Sequence, residues 1–232
     1  MNKISPRPFS ILKCSTPLIG YLKALRLSPS DYEKIIVWNP SIELPTQLMA
    51  AIPKRQALFI LGRWCVQESL FAQHVPPVHI PIHADRSPIW PLGIKGSISH
   101  SNTHVLAVTC KHSDCDGIGI DIEAMMTRER AIKLKDQFSN AQEQSLIQES
   151  GLSIALFYTL VFSLKESIYK ALYPNVQKFF GFEAVELLAI DSKNQTWLAV
   201  LTQDLSPSFQ SGFELRGFYR EVNDQVLTGV QI

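Results

Sequence analysis

The chain has 232 residues, 46% of them hydrophobic and 19% charged, with a formal net charge of +1 at pH 7. That length supports one sizeable core or two small fused ones. The near-neutral balance gives no bulk electrostatic case for binding nucleic acid or a membrane surface, so any affinity for phosphate has to be local.

In chain order, the first 22 residues carry Lys3, Arg7 and Lys13, but Pro6, Pro8, Lys13 and Pro17 interrupt the apolar runs. No signal-peptide core develops, and a cytoplasmic location is expected. The longest apolar run, residues 155–162, is far short of the ~20 residues a membrane helix needs. Cys14, Cys65, Cys110 and Cys115 form neither a C-x-x-C pair nor a disulfide framework and suit a reducing compartment. Cys110, His112 and Cys115 lack a convincing fourth zinc ligand, and the two cysteines read as one buried thiol and one turn residue.

Residues 45–73 read as a helix whose broad apolar stripe includes Leu58, Leu61, Trp64, Cys65 and Leu70. Arg55 and Arg63, eight apart, lie about 80° from each other around its axis and point toward one side. On spacing alone they read equally as a solvated flank. Residues 74–91 hold five prolines and form an irregular wrapping segment. Residues 105–110 and 117–123 read as antiparallel strands joined by a turn at 113–116, a hairpin that carries Asp121 and Glu123 to its far end. Helices are expected over 128–148 and 152–173, broken at Gly151, with Pro174 ending the second. Strands follow at 183–190, 196–201, 214–221 and 226–232. Composition and pattern therefore predict an α+β protein with helices set against antiparallel sheet.

Two stretches are too polar for plain core and too apolar for surface. In residues 117–123, Ile118, Ile120 and Ile122 alternate with Gly119, Asp121 and Glu123. Carboxylates at i and i+2 on one strand face have Cα atoms about 6–7 Å apart, close enough to share one hard cation. A strand edge with two solvated acids is the competing reading. Gly119 leaves the carboxylate face open to close approach. In the 156–173 helix, Phe157, Leu160, Val161, Leu164, Ile168, Ala171 and Leu172 gather on one face, while Thr159, Phe162, Glu166, Tyr169, Lys170 and Tyr173 gather opposite. A helix apolar on both faces is expected between two layers, where Glu166 and Lys170 need partners. An ordinary i,i+4 salt bridge between them is the alternative.

Gly-Ile-Asp-Ile-Glu at 119–123 and Phe-Ser-Leu-Lys-Glu-Ser-Ile-Tyr-Lys at 162–170 together resemble the paired signature of the 4′-phosphopantetheinyl transferases, and in particular the enterobactin-synthetase and surfactin-type subgroup. The likeness extends to Arg55 and Gly62-Arg63-x-Cys65, to Arg86-Ser87-Pro88-Ile89-Trp90-Pro91, and to Gly96-Ser97-Ile98-Ser99-His100-Ser101. It spans roughly residues 55–173. Val66 and the register of Phe59 depart slightly from the subgroup's helix, and Phe162 stands where many members have tryptophan.

The resemblance implies a pseudo-twofold α+β fold of two similar subdomains, 1–120 and 121–232, each a small antiparallel sheet packed with helices, with the active site at their interface. It implies a monomeric, Mg²⁺-dependent enzyme that transfers the phosphopantetheine arm of coenzyme A to a serine of an apo acyl or peptidyl carrier protein, with neither nucleic acid nor membrane as partner. Siderophore or other secondary-metabolite biosynthesis is the implied setting. Asp121, Glu123 and Glu166 are the implied magnesium ligands, and Glu166, Lys170 and Asp121 the implied catalytic groups. Arg55, Arg63, Arg86, Ser99, His100, Lys165 and Lys170 are the implied coenzyme A contacts. A non-catalytic coenzyme A or carrier-protein binding module is the rival reading, which loss of a metal carboxylate or of the helix lysine would favour; neither is lost here. Carrier docking is expected around residues 128–135 and 173–182, with Phe179, Phe180 and Phe182 serving either as docking patch or as core.

Overall fold

In the computed structural model, which describes residues 7–12, 16–39, 42–76 and 78–232, the chain separates between residues 114 and 115 into two units, each with its own sheet and its own long helix. Lys3, Pro6, Lys13 and Cys14, read above for a leader and for redox chemistry, lie outside the described residues.

The first unit contains β1 (Ser10–Leu12), β2 (Tyr21–Arg26), α1 (Tyr32–Trp38), α2 (Thr46–Met49), α3 (Pro53–Phe71), β3 (Ile94–His100) and β4 (His104–Lys111). The strands form an antiparallel sheet in the order β1-β2-β4-β3. The expected helix over 45–73 is two pieces, because Pro53 has no N–H and holds Ile52 extended (φ −58°, ψ 149°). The same proline suits the first turn of α3. Val105 and Ala107 of β4 join Leu58, Leu61 and Cys65 of α3 in one core, and Thr109 continues that face by meeting Ser69 Oγ at 2.6 Å.

The second unit holds β5 (Ile118–Ala124), α4 (Arg128–Leu134), α5 (Ala141–Ser150), α6 (Ile154–Val176), β6 (Val185–Asp191), β7 (Thr196–Leu201), β8 (Glu214–Val222) and β9 (Gln225–Gln231). Its antiparallel sheet runs β5-β9-β8-β7-β6. The hairpin expected between 105–110 and 117–123 does not form. β4 pairs with β2 and β3, whereas β5 pairs with β9 from residue 118 onward. Period-2 alternation marks a strand but carries no information about its partner, and the distant C-terminal strand takes the place of the adjacent one. Residues 118–120 consequently belong to the second sheet.

The segment expected as one helix over 128–148 is α4 and α5. Thr127 caps the first by accepting from Arg130 N. Asn140 and Glu143 form a reciprocal capping box on the second. Gly151, at φ 67°, closes α5 in the left-handed conformation that glycine adopts without strain. Pro174 does not end α6, which runs on to Val176 and closes at left-handed Gln177. In the last turn the proline forfeits only the one bond its N–H would have made.

α6 lies on β5 and β9, and Leu160, Val161, Leu164, Ile168, Ala171 and Leu172 are wholly buried. Its second side is closed by aromatics, with Phe162 against Phe138 and Phe182, and Tyr169 against Tyr173 and Phe180. The expectation of a helix buried on both faces holds in full for the apolar face and in part for the other, where Thr159 is buried and Phe162, Glu166, Tyr169, Lys170 and Tyr173 are half-buried. Among the described residues no helix is long and apolar enough to cross a membrane.

Candidate active site

Two glycines bring α6 against β5. A β-carbon at Gly119 would overlap the Ser167 carbonyl oxygen and stand 2.8 Å from Ala171 N, and one at Gly117 would overlap the Ala171 carbonyl. The open space expected beside Gly119 is therefore taken by the helix backbone. Gly119, Asp121 and Glu123 share one strand face, so the two carboxylates look along the helix that Gly119 admits.

The helix answers with Ser163, Glu166, Ser167 and Lys170, whose i, i+3, i+4, i+7 spacing makes one polar seam. Asp121 is buried, with 3% of its surface exposed, and both its oxygens are engaged. Lys170 Nζ donates to Oδ1 at 2.7 Å and Ser163 Oγ donates to Oδ2 at 2.8 Å. Thr228, opposite Asp121 in the β5–β9 ladder, meets Ser163 Oγ at 2.9 Å. Lys170 thus makes its ion pair across to the strand, not the i,i+4 bridge along the helix. Sequence reasoning assigned no role to Ser163 or Thr228. The seam spacing was the available signal for Ser163; for Thr228, which needs the β5–β9 register, there was none.

Glu123 and Glu166 are half-buried. Burial, reinforced by Asp121 and Glu166 and opposed by Lys170 and Arg130, pushes the Glu123 carboxyl up to about 7. Burial also raises Glu166, with Lys170 pulling it down and Asp121 pushing it up. Three carboxylates therefore feel one another, and they outnumber the cations acting on them. Among the described residues no three His, Cys, Asp or Glu side chains are gathered as a metal-ligating group. The donor chemistry nevertheless fits a hard divalent cation, being all oxygen and short of positive charge.

Lys165 is absent from this seam. Its ammonium is buried, 2.7 Å from Glu143 Oε1 and 3.2 Å from the Phe182 carbonyl, and burial lowers its pKa against the pull of Glu143. One step along the helix turns it 100° from Glu166, toward the interior of the unit. Glu143 was missed as a partner, although its place three residues after Asn140 is a legible capping box.

The first unit carries the remaining predicted residues. Arg55 is exposed on the first turn of α3. Arg63, two turns on, is 8% exposed, lies 4.5 Å above the Phe59 ring and donates from Nε to the Ile80 carbonyl at 3.0 Å. Burial lowers its pKa to about 10. It borders a cavity of about 170 Å³ of mixed lining, with Glu43, Gln67 and His79 beside Ile42, Val78 and Ile80. Arg86 is exposed in a turn closed by its N–H on the His83 carbonyl, at φ 72°. Ser99 and His100 are neighbours on β3 and so face opposite sides of the sheet. Ile98, in line with His100, packs on Gly62 of α3; Ser99 is buried on the other face and His100 is exposed at the strand end.

Cys65, Cys110 and Cys115 are buried thiols outside any disulfide. Of the three phenylalanines expected as core or docking patch, Phe180 is buried, Phe182 packs on the core and Phe179 is 84% exposed.

Comparison with known proteins agrees with this division. Residues 44–110 match the profile of the 4′-phosphopantetheinyl transferase N-terminal domain, and residues 117–225 that of the 4′-phosphopantetheinyl transferase superfamily. The chain is 32% identical over 164 residues to enterobactin synthase component D of Salmonella typhi, covering 70% of this chain and 66% of that one. It is 31% identical over 179 residues to enterobactin synthase component D of Escherichia coli, covering 75% and 81%. With 4′-phosphopantetheinyl transferase Npt of Nocardia iowensis it shares 30% identity over 137 residues, covering 59% and 60%. The matched stretch thus spans just under two thirds of the Salmonella typhi protein.

Proposed function

Because the chain belongs to the 4′-phosphopantetheinyl transferase superfamily, we propose that it transfers the 4′-phosphopantetheine group of coenzyme A to a serine hydroxyl of an apo acyl or peptidyl carrier protein. In this reaction the serine oxygen forms a bond to the pyrophosphate phosphorus nearer the pantetheine. The bond from that phosphorus to the bridging oxygen breaks, adenosine 3′,5′-bisphosphate leaves, and the serine proton passes to a base. The observation that carries the reading is the buried Asp121 of β5, held by Lys170 and Ser163 of the facing α6 within the matched superfamily region.

Asp121, Glu123 and Glu166 would hold Mg²⁺, which when bound supplies charge neutralisation at the pyrophosphate and its leaving group. Lys170, on the same helix as Glu166, is assigned to the phosphates. Arg55, Arg63, Arg86 and His100, with the Ser99 hydroxyl, are assigned to the 3′-phosphate and pyrophosphate of coenzyme A; planar guanidinium forks suit phosphate oxygens. Arg63, buried beside a cavity, is the best supported of these. Lys165 is withdrawn from this group. Glu166, raised by burial, is the candidate base for the serine proton.

The exposed Arg128, Arg130 and Lys133 of α4, with the exposed Ile132 and Phe179, support an acidic carrier-protein partner. A cytoplasmic, monomeric enzyme remains our reading, in accord with three buried thiols outside any disulfide. The pathway we favour is siderophore assembly, since the Salmonella and Escherichia relatives are components of an enterobactin synthase.

The test is the intact mass of apo carrier proteins incubated with this protein, coenzyme A and Mg²⁺. A gain equal to the phosphopantetheine group, lost with EDTA, is the expected result. No gain on several acyl and peptidyl carriers, with coenzyme A binding intact, would leave a binding module in place of a transferase.

A further inference from the structure

Glu143 is wholly buried, and all of its hydrogen-bonding capacity is directed at fixed points. Oε1 stands 2.7 Å from Lys165 Nζ and accepts from Leu187 N at 2.8 Å. Oε2 accepts from Lys165 Nζ at 3.0 Å and from its own cap residue, Asn140 N, at 2.8 Å. The carboxylate is therefore pinned to the start of α5 and to the backbone of β6, an outer strand of the sheet whose register shifts between Leu187 and Ala189. Lys165, 4% exposed, adds the Phe182 carbonyl as a further acceptor.

Stability alone accounts poorly for such a pair. A buried ion pair loses in desolvation much of what it gains in attraction, and apolar residues of the same volume commonly do as well or better. What it supplies that apolar packing does not is direction. Apart from Ser163 and Lys170, which meet Asp121 within the cluster itself, and Thr159, which accepts from Met126 N, α6 meets its surroundings largely through leucines, isoleucines and aromatics, contacts that tolerate small rotations of the helix about its axis. Lys165 and Glu166 are consecutive on that helix, and Lys170 follows within five residues. A 20° rotation would carry a carboxylate about 6 Å from the axis through about 2 Å, more than a site that must hold its groups within about 0.5 Å permits.

We infer that Glu143 and Lys165 are positioning residues, a buried clamp joining α5 and β6 to α6 that sets the rotation of α6 and so aims Glu166 and Lys170 at Asp121 and Glu123. The clamp touches neither substrate nor cation in this assignment. It rests on the reading of the Asp121, Glu123 and Glu166 cluster as a cation site, and its test is built to fail separately from that reading.

The experiment compares wild type with Lys165→Met and with the double variant Glu143→Gln/Lys165→Met, which leaves no buried charge unpaired. Three quantities are measured on each: the thermal midpoint, Mn²⁺ binding in the presence of coenzyme A from the electron paramagnetic resonance of the free ion, and kcat and KM for transfer to a carrier protein. Mn²⁺ affinity and kcat are expected to fall about 10- to 100-fold in both variants, the range seen when groups behind metal ligands are removed. KM for coenzyme A is expected to rise less than kcat falls, because of the assigned phosphate contacts only Lys170 lies on α6. The double variant regains thermal midpoint relative to the single one but not Mn²⁺ affinity, which separates aim from stability. Where Lys165→Met fails to fold, the double variant alone carries the comparison. A folded variant with wild-type Mn²⁺ affinity and kcat, or a double variant whose Mn²⁺ affinity recovers with its midpoint, overturns the clamp. A wild-type protein that binds Mn²⁺ with coenzyme A yet modifies no carrier overturns the transferase reading instead, and the Mn²⁺ titrations still decide the clamp.

Discussion

Lys170 Nζ lies 2.7 Å from Asp121 Oδ1, while Ser163 holds the other oxygen, so the most buried carboxylate of the cluster is already charge-balanced by the facing helix. Removing Asp121 is therefore more than the relief of crowded negative charge. Asp121→Ala strips Lys170 and Ser163 of their acceptor and is expected to cost about 1.5–3 kcal/mol of stability, as for a lost hydrogen bond to a charged group. Asp121→Asn keeps an acceptor and should unfold closer to wild type. Transfer should fall at least about 100-fold in both, since a charge-stabilising group is gone. Urea titrations and carrier-protein mass shifts check the two halves separately; an active Asp121→Asn enzyme would remove Asp121 from the site.

Gly119 is the contact that lets the helix seam reach the strand. A β-carbon there meets Ser167 and Ala171 backbone, which cannot swing aside as a side chain can. Gly119→Ala should cost about 1–3 kcal/mol, the usual range for overpacking, and should lower kcat more than KM for coenzyme A because Glu166 and Lys170 move with α6. Urea titration with initial rates tests this. An unchanged kcat in a destabilised variant would mean that the helix accommodates the methyl without shifting its polar seam.

How much of this was legible beforehand follows from which interactions are local. The apolar stripe of α6 and its aromatic second side are read from a 3.6-residue period, and the alternation around Asp121 from a period of two. Helix interruptions were missed where a single residue overrides a periodic pattern, as Pro53 does through its effect on Ile52 and Asn140 through its capping side chain. The partner of β5 was missed because β9 lies a hundred residues away, and nothing in a strand's own pattern names its neighbour. The ion-pair partner of Lys165 was missed for the same reason. Its buried carboxylate, Glu143, is brought in by tertiary packing, which motif spacing does not encode.

Arg63 offers a test by substrate subtraction. If its guanidinium meets the 3′-phosphate of coenzyme A, Arg63→Ala should weaken coenzyme A binding by about 1.5–3 kcal/mol, the worth of a charge-assisted hydrogen bond. The same substitution should leave binding of 3′-dephospho-coenzyme A nearly unchanged. Arg63→Lys should recover little, because an ammonium cannot reproduce a fork that also donates from Nε to the Ile80 carbonyl. Titration calorimetry with both ligands decides it, and equal losses on the two would move Arg63 to the pyrophosphate or to a purely structural place.

The carboxylate cluster makes the metal-free protein respond to pH in a defined sense. Glu123 is held up to about 7 against an ordinary value of 4.5, and Glu166 is raised as well. Between those two pH values the native chain binds more protons at Glu123 than the unfolded chain does, so this group makes stability in EDTA fall as pH rises from about 4.5 to 7 and adds no further loss above that. Glu123→Gln should flatten that part of the profile. Mg²⁺ binds the ionised carboxylates, so its stabilising effect should be larger at pH 7.5 than at pH 5. Thermal midpoints of wild type and Glu123→Gln across that range, with EDTA and with Mg²⁺, test both statements. A Glu123→Gln profile parallel to wild type in EDTA would show that Glu123 is not the strained carboxyl, and an equal Mg²⁺ effect at both pH values would separate cation binding from these acids.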